Sequence, residues 1–187
     1  MDRFAMETRS EITGKGKLYG HASVFNQTAD LGSHLESIAD TAFKRALENP
    51  TTDVRALFNH DPNQLLGRQS SGTLKLSVDS EGLEFEVDLP DTQLGRDVRE
   101  LARREDIDGA SFGFIPDEDE WVEYEGRRMR RHISVRSLVD VSPVTFPAYQ
   151  GASVMMRSFD FSKVRPMESQ KSQLIRARAR VLLGRES

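Results

Sequence analysis

The chain has 187 residues, 37% of them hydrophobic and 30% charged, with a formal net charge of −4 and no cysteine. That is one ordinary domain with room for a tail, long enough to bury a full core, and it excludes disulfides, thiolate metal sites and a cysteine nucleophile. No stretch approaches the roughly 18–20 apolar residues of a membrane span, and Met1-Asp2-Arg3-Phe4-Ala5-Met6-Glu7 lacks the apolar run of a signal peptide.

The charge is unevenly spread. Residues 79–125 carry seventeen acidic and four basic side chains, whereas residues 163–187 carry seven basic and two acidic. The acidic middle repels nucleic acid. The basic end reads as a solvated tail or as a surface for an acidic partner. The absence of cysteine fits a reducing compartment.

In chain order, residues 1–14 form a polar lead-in. Residues 17–26, with Leu18, Tyr19, Ala22, Val24 and Phe25, predict a first strand kinked at Gly20, and 27–34 are loop by composition. Residues 38–48 predict a helix: Asp40 is placed to cap it, Ala42, Phe43, Ala46 and Leu47 recur at helical spacing, and Asn49-Pro50 ends it. A short apolar strand over 54–59 runs into His60-Asp61-Pro62-Asn63, a turn by composition.

The clearest local pattern follows. Leu74, Leu76 and Val78 alternate with Lys75, Ser77 and Asp79; after Ser80-Glu81-Gly82, Leu83, Phe85, Val87 and Leu89 alternate with Glu84, Glu86 and Asp88. This predicts an antiparallel hairpin with one face in the core. Asp91 or Thr92 caps a helix to about residue 105, with Leu94, Val98, Leu101 and Ala102 inward. Residues 118–124 and 128–141 predict a second hairpin around Glu125-Gly126, with Ile133, Val135, Val139 and Val141 on one face and His132, Arg136, Leu138 and Asp140 on the other. Pro143, Pro147 and Gly151 shape a loop, 154–161 predict a last strand, and 169–183 predict a weakly amphipathic basic helix. The expected fold is α+β, a mainly antiparallel β barrel with surrounding helices over residues 1–165 and a basic helical tail over 166–187.

Between helix and second hairpin lies Gly109-Ala110-Ser111-Phe112-Gly113-Phe114. As a strand it sends Ala110, Phe112 and Phe114 to one face and Gly109, Ser111 and Gly113 to the other. The second face is a lone hydroxyl flanked by two residues without side chains, over which a substrate backbone has room to lie. Taken alone, the stretch reads first as a buried strand whose glycines permit close backbone approach.

A serine nucleophile needs a base, most often histidine, and the base needs a third group to fix its tautomer. His60 is the best placed of the four histidines, where an apolar strand becomes a polar turn; alone it reads as a surface turn residue. His21 and His34 have no distinguishing context, and His132 follows a run of arginines. As orienter, Asp61 diverges from its neighbour in extended backbone, and Asp53 lies roughly 23 Å along a strand. Asp140 interrupts the apolar run Leu138-Val139-Asp140-Val141, where a carboxylate without a partner costs several kcal/mol. Its partner is either a histidine or one of the many arginines. No HExxH, close histidine pair or phosphate loop occurs, so no metal or cofactor is expected, and the acidic run 117–120 reads as a solvated turn.

Several stretches together resemble one family: Ala56-Leu57-Phe58-Asn59-His60-Asp61, Leu66-Gly67-Arg68, Gly82-Leu83, Gly109-Ala110-Ser111-Phe112-Gly113-Phe114, and Val139-Asp140-Val141-Ser142-Pro143-Val144-Thr145-Phe146-Pro147-Ala148-Tyr149. Their order and context are similar to the prohead (capsid-maturation) proteases of tailed bacteriophages, over about residues 16–156. The resemblance implies a serine peptidase related in fold to the herpesvirus assemblins, with His60 as general base, Ser111 as nucleophile and an acid before Pro143, here Asp140, as orienter. The assemblins use a second histidine as third member, which leaves His132 as the alternative. The resemblance further implies an enzyme inside the phage procapsid in the bacterial host cytoplasm. It would cut scaffold, or the scaffold segment of the major capsid protein, and also itself, with the tail after Pro166 trimmed and a homodimer suggested by the assemblin analogy. Extended substrate is expected across the Gly109–Gly113 face, with oxyanion donors from the 147–151 loop. Two rivals stand beside this reading: a catalytically inactive barrel serving as a capsid-assembly scaffold or interaction module, and a nucleic-acid binder using its arginine-rich stretches.

Overall fold

The computed structural model describes residues 2–6, 10–12, 16–145 and 164–166. Strands dominate, in chain order β1 (Asp2–Met6), β2 (Ser10–Ile12), β3 (Lys17–Val24), β4 (Ala29–Asp30), β5 (Leu35–Ile38), β6 (Arg55–Phe58), β7 (Asp61–Arg68), β8 (Leu74–Val78), β9 (Gly82–Asp88), β10 (Gly109–Tyr124), β11 (Arg127–Val144) and β12 (Val164–Pro166). Helix α1 (Lys44–Glu48) lies between β5 and β6, and α2 (Gln93–Arg103) between β9 and β10.

The strands form two sheets among the described residues. One has four strands in the order β2-β3-β9-β8, all antiparallel. The other has eight: β1-β10-β11-β5-β4 as its main path, with β12 on β10 and the β6–β7 hairpin joined to β11 through β6. Pairing is antiparallel except where β5 and β6 run parallel to β11. The expected mixture of mostly antiparallel strands and few helices is present, but the expected closed barrel is not. The sheets stay open because β11 divides its second edge between β5 and β6, so its neighbours branch instead of returning to close a ring.

The β8–β9 hairpin follows its alternation, and Asp79 organises the turn by accepting from the backbone N–H groups of Glu81 and Gly82. α2 is capped by Thr92, whose hydroxyl accepts from the Gly95 N–H at 3.2 Å. The β10–β11 turn has Glu125 and Gly126 at φ 52° and 78°, both left-handed, as a two-residue hairpin loop of matching twist requires.

Four expectations yield to tertiary pairing. The lead-in holds two strands, β1 on β10 and β2 on β3. The helix expected over 38–48 shrinks to α1, which has no side-chain cap, because 35–38 pair in parallel with β11 and the Ala39 N–H donates to His132. The Ser111 stretch and the outer arm of the second hairpin are one continuous strand, β10. Finally, β11 breaks strict alternation. Val139, Arg136 and Ile133 are left unpaired at register shifts against β10. Each extra residue flips the parity beyond it, so the buried series is Val135, Leu138 and Val141, while Val139 and Ile133 are half-buried. The loop expected over 147–151, the strand over 154–161 and the helix over 169–183 lie outside the described residues.

The main core sits between the sheets. Phe112 packs edge-on to Phe43 and stacks on Phe114, with ring centroids 5.4 and 5.2 Å apart. Ala110, Leu138, Val141, Phe85 and Leu18 belong to the same cluster.

Candidate active site

Two of the site's side chains come from one face of the β10–β11 ladder. Ser111 pairs with Ser142 and Gly113 with Asp140, while Phe112 pairs with Val141 and Phe114 with Leu138. Alternation puts the phenylalanines and their partners in the core and Ser111, Gly113, Asp140 and Ser142 together on the opposite face. The unpaired Val139 makes this possible. Without it, Asp140 would share the face of Leu138, two residues away, which is buried in the core.

The third side chain arrives from the β6–β7 hairpin. β6 runs beside β11 with Arg55 opposite Asp140 and Ala56 opposite Val141, so its far end points along β11 toward residue 144. Two residues, Asn59 and His60, join β6 to β7, at φ 55° and 57°. The turn is therefore shorter and earlier than composition indicated, and residues 61–63, expected in it, begin β7. Asn59 and His60 are both in the left-handed region that a tight hairpin of this hand demands. Asparagine and histidine are enriched there among non-glycine residues, yet holding a bulky ring in it costs roughly 1–3 kcal/mol.

From that apex the imidazole bridges the other two strands. His60 Nδ1 lies 2.6 Å from Asp140 Oδ1, and Nε2 lies 2.7 Å from Ser111 Oγ. A carboxylate only accepts, so Nδ1 carries the proton and Nε2 is left to accept from the serine hydroxyl. Ser111 is 0% exposed and Asp140 2%, and the His60 side chain is 9% exposed. Burying a carboxylate demands compensation, and Asp140 has it twice on one oxygen: besides His60, Ser142 Oγ donates to Oδ1 at 2.7 Å. Ser142 was not singled out by sequence reasoning. The available signal was its position two residues after Asp140 on a strand, which puts both on one face.

The structure brings His60, Ser111 and Asp140 together and keeps the other candidates apart. Asp53 is engaged by Arg68 at 2.8 and 2.5 Å, and by the Ser70 N–H. The Arg68 guanidinium holds the Asp53 carboxyl down at about 2. Asp61 accepts from the Asn63 N–H. Arg55, next to Asp140 in the sheet, turns to the Asp53 carbonyl and carboxylate. His21 meets Asp79 at 2.8 Å and His34 meets Glu36 at 3.0 Å. His132 is fully buried, 2.6 Å from Asp119 and edge-on to Phe114. It lies eight residues from Asp140 on β11, roughly 26 Å in extended backbone. The face around Ser111 is not the open one expected: Gly109, Ser111 and Gly113 are all buried.

A hydroxyl, an imidazole and a carboxylate linked in this order can transfer the hydroxyl proton to Nε2 and stabilise the resulting imidazolium, the requirement for serine to attack an acyl carbon.

The family model described as caudovirus prohead serine protease matches residues 4–166, a span that contains all three residues. The prohead protease of Enterobacteria phage HK97 is 33% identical over 160 residues, covering 82% of this chain and 67% of that protein. No solved structure matches the chain.

Proposed function

This chain belongs to the caudovirus prohead serine protease family, and we propose that it is a serine endopeptidase with Ser111 as nucleophile, His60 as general base and acid, and Asp140 as the group that orients and charge-stabilises His60. The observation that carries this reading is the pair of hydrogen bonds on the two nitrogens of His60, 2.6 Å to Asp140 and 2.7 Å to Ser111.

The reaction is acyl transfer. As Ser111 Oγ attacks the peptide carbonyl carbon, its proton passes to His60 Nε2. The imidazolium, held by Asp140, returns the proton to the leaving amine as the C–N bond breaks. An acyl-enzyme remains, and water activated by the same Nε2 hydrolyses the ester. The proposed substrates are the scaffold, or the scaffold segment of the phage major capsid protein, and the enzyme itself. The family's association with prohead maturation supports the first, and the basic 166–187 segment is the piece proposed to be removed in the second.

Intact mass followed over time tests this with wild type, Ser111→Ala and His60→Ala, each alone and mixed with capsid protein and scaffold. Fragments released by wild type and by neither variant support the assignment. Identical trimming of all three would place the chemistry elsewhere.

A further inference from the structure

His60 sits at the apex of a two-residue hairpin, and its ring must meet two strands at once, Asp140 on β11 and Ser111 on β10. The sheet ladder alone does not hold the apex in place. The register of β6 on β11 covers Arg55 and Ala56 and stops before Leu57, Phe58 and the turn. Beyond it, the contact is continued by the residue before His60. The Asn59 N–H donates to the Pro143 carbonyl at 3.1 Å. The Asn59 side chain then closes a reciprocal pair with Thr145: Oδ1 accepts from the Thr145 N–H at 2.8 Å, and Nδ2 donates to Thr145 Oγ1 at 3.1 Å. A backbone N–H can meet only the oxygen of the amide, which fixes the way Asn59 points.

We propose that Asn59 is a positioning residue for His60. Through Pro143 and Thr145 it sets how far along β11 the hairpin apex lies, and thereby the depth at which the imidazole reaches Asp140 and Ser111. This rests on the peptidase reading of the same site.

The rival explanation is that Asn59 is there only for its left-handed backbone, at φ 55°. Glycine supplies that conformation without a side chain, so Asn59→Gly separates the two roles. Asn59→Asp is the conservative variant, since its oxygen still accepts from the Thr145 N–H while the threonine hydroxyl turns to donate. Thr145→Val leaves the turn sequence intact and removes only the hydroxyl.

Two readouts are needed. One is the far-downfield proton resonance of the His60 Nδ1–H hydrogen bond, assigned by its loss in His60→Gln. The other is the rate at which a fluorophosphonate labels Ser111. Asn59→Gly is expected to melt within a few degrees of wild type, to shift or broaden the resonance, and to label about 10²-fold more slowly, the order of effect that a 1 Å misplacement produces. Asn59→Asp should recover most of that rate. Thr145→Val should label about 10-fold more slowly, as for one lost hydrogen bond, which keeps the question open to test even if Asn59→Gly folds poorly. An unchanged resonance or an unchanged labelling rate in folded Asn59→Gly overturns the proposal. Failure of the wild type to label sinks the peptidase reading instead, and the resonance alone then decides whether Asn59 holds His60.

Discussion

Gly113 stands directly opposite Asp140 in the β10–β11 ladder. Side chains so paired have Cβ atoms about 4.5–5.5 Å apart on one face of the sheet. Here that face also carries Ser111, and the His60 ring bridges from Asp140 to Ser111 across it. Glycine adds no side chain to that face. Gly113→Val is therefore expected to displace His60 and slow fluorophosphonate labelling of Ser111 about 10²-fold, with the urea midpoint reporting whether the core below has changed. Labelling at the wild-type rate in the folded variant would mean that the ring does not need the space beside residue 113.

Asp140 and Ser142 should separate in size. On the proposed reading, Asp140→Asn keeps the shape but removes the charge and permits the wrong tautomer of His60, so kcat should fall about 10⁴-fold, the loss a Ser-His-Asp triad shows when its aspartate is so changed. Ser142→Ala removes one hydrogen bond to a buried carboxylate, for which a loss of about 10- to 100-fold is expected. Single-turnover cleavage of a capsid-protein substrate measures both, and equal losses would show that Ser142 does more than steady Asp140.

Phe112 ties the site's strand to the core. Its ring is fully buried between Phe43 and Phe114. Phe112→Ala should cost about 3–5 kcal/mol, read as a lower urea midpoint at unchanged slope. A loss below about 1 kcal/mol would mean that the ring is not close-packed as described.

The Asp30–Arg127 ion pair adds a small acid-sensitive share to the stability of the fold. The Arg127 guanidinium, helped by the Gly32 N–H, holds the Asp30 carboxyl down at about 2 against an ordinary 3.8. A carboxyl depressed in the folded state stabilises fully above its unfolded value, and that share disappears as pH falls through the folded one. The window is pH 4 to 2. Because the pair is partly exposed, the share is small, within the range of about 0–1 kcal/mol for surface pairs. The difference in melting temperature between wild type and Asp30→Asn should be present at pH 5 and vanish toward pH 2. A difference that persists at pH 2 would point to a cause other than ionisation.

Much of the local structure was legible from residue order. The alternation from Leu74 to Leu89 defined the β8–β9 hairpin, Asp91-Thr92 marked the start of α2 without deciding which of the two caps it, and Glu125-Gly126 marked the long hairpin's turn. The two faces of the strand around Ser111 followed from its parity. These patterns arise from short-range causes: steric limits on φ, capping of free N–H groups, and hydrophobic periodicity on one element. The residue types of the candidate site were legible too, since a hydroxyl between glycines, a histidine at a strand end and an aspartate within an apolar run each conflict with a purely structural pattern.

Partnership and register were decided only by the tertiary structure. His60 meets residues 51 and 80 positions away, and no local pattern encodes which of Asp53, Asp61, Asp140 or His132 stands within reach of its ring. The unpaired Val139 shifts Asp140 to the face of Ser111, and periodicity cannot show such an insertion because it belongs to the pairing of two strands rather than to either one. For the same reason Ile38 joined strand β5 instead of opening a helix, and the polar lead-in became β1 and β2. In each case hydrogen bonds to a distant strand outweighed the segment's own preference, because backbone groups taken from water must be satisfied wherever the fold carries them.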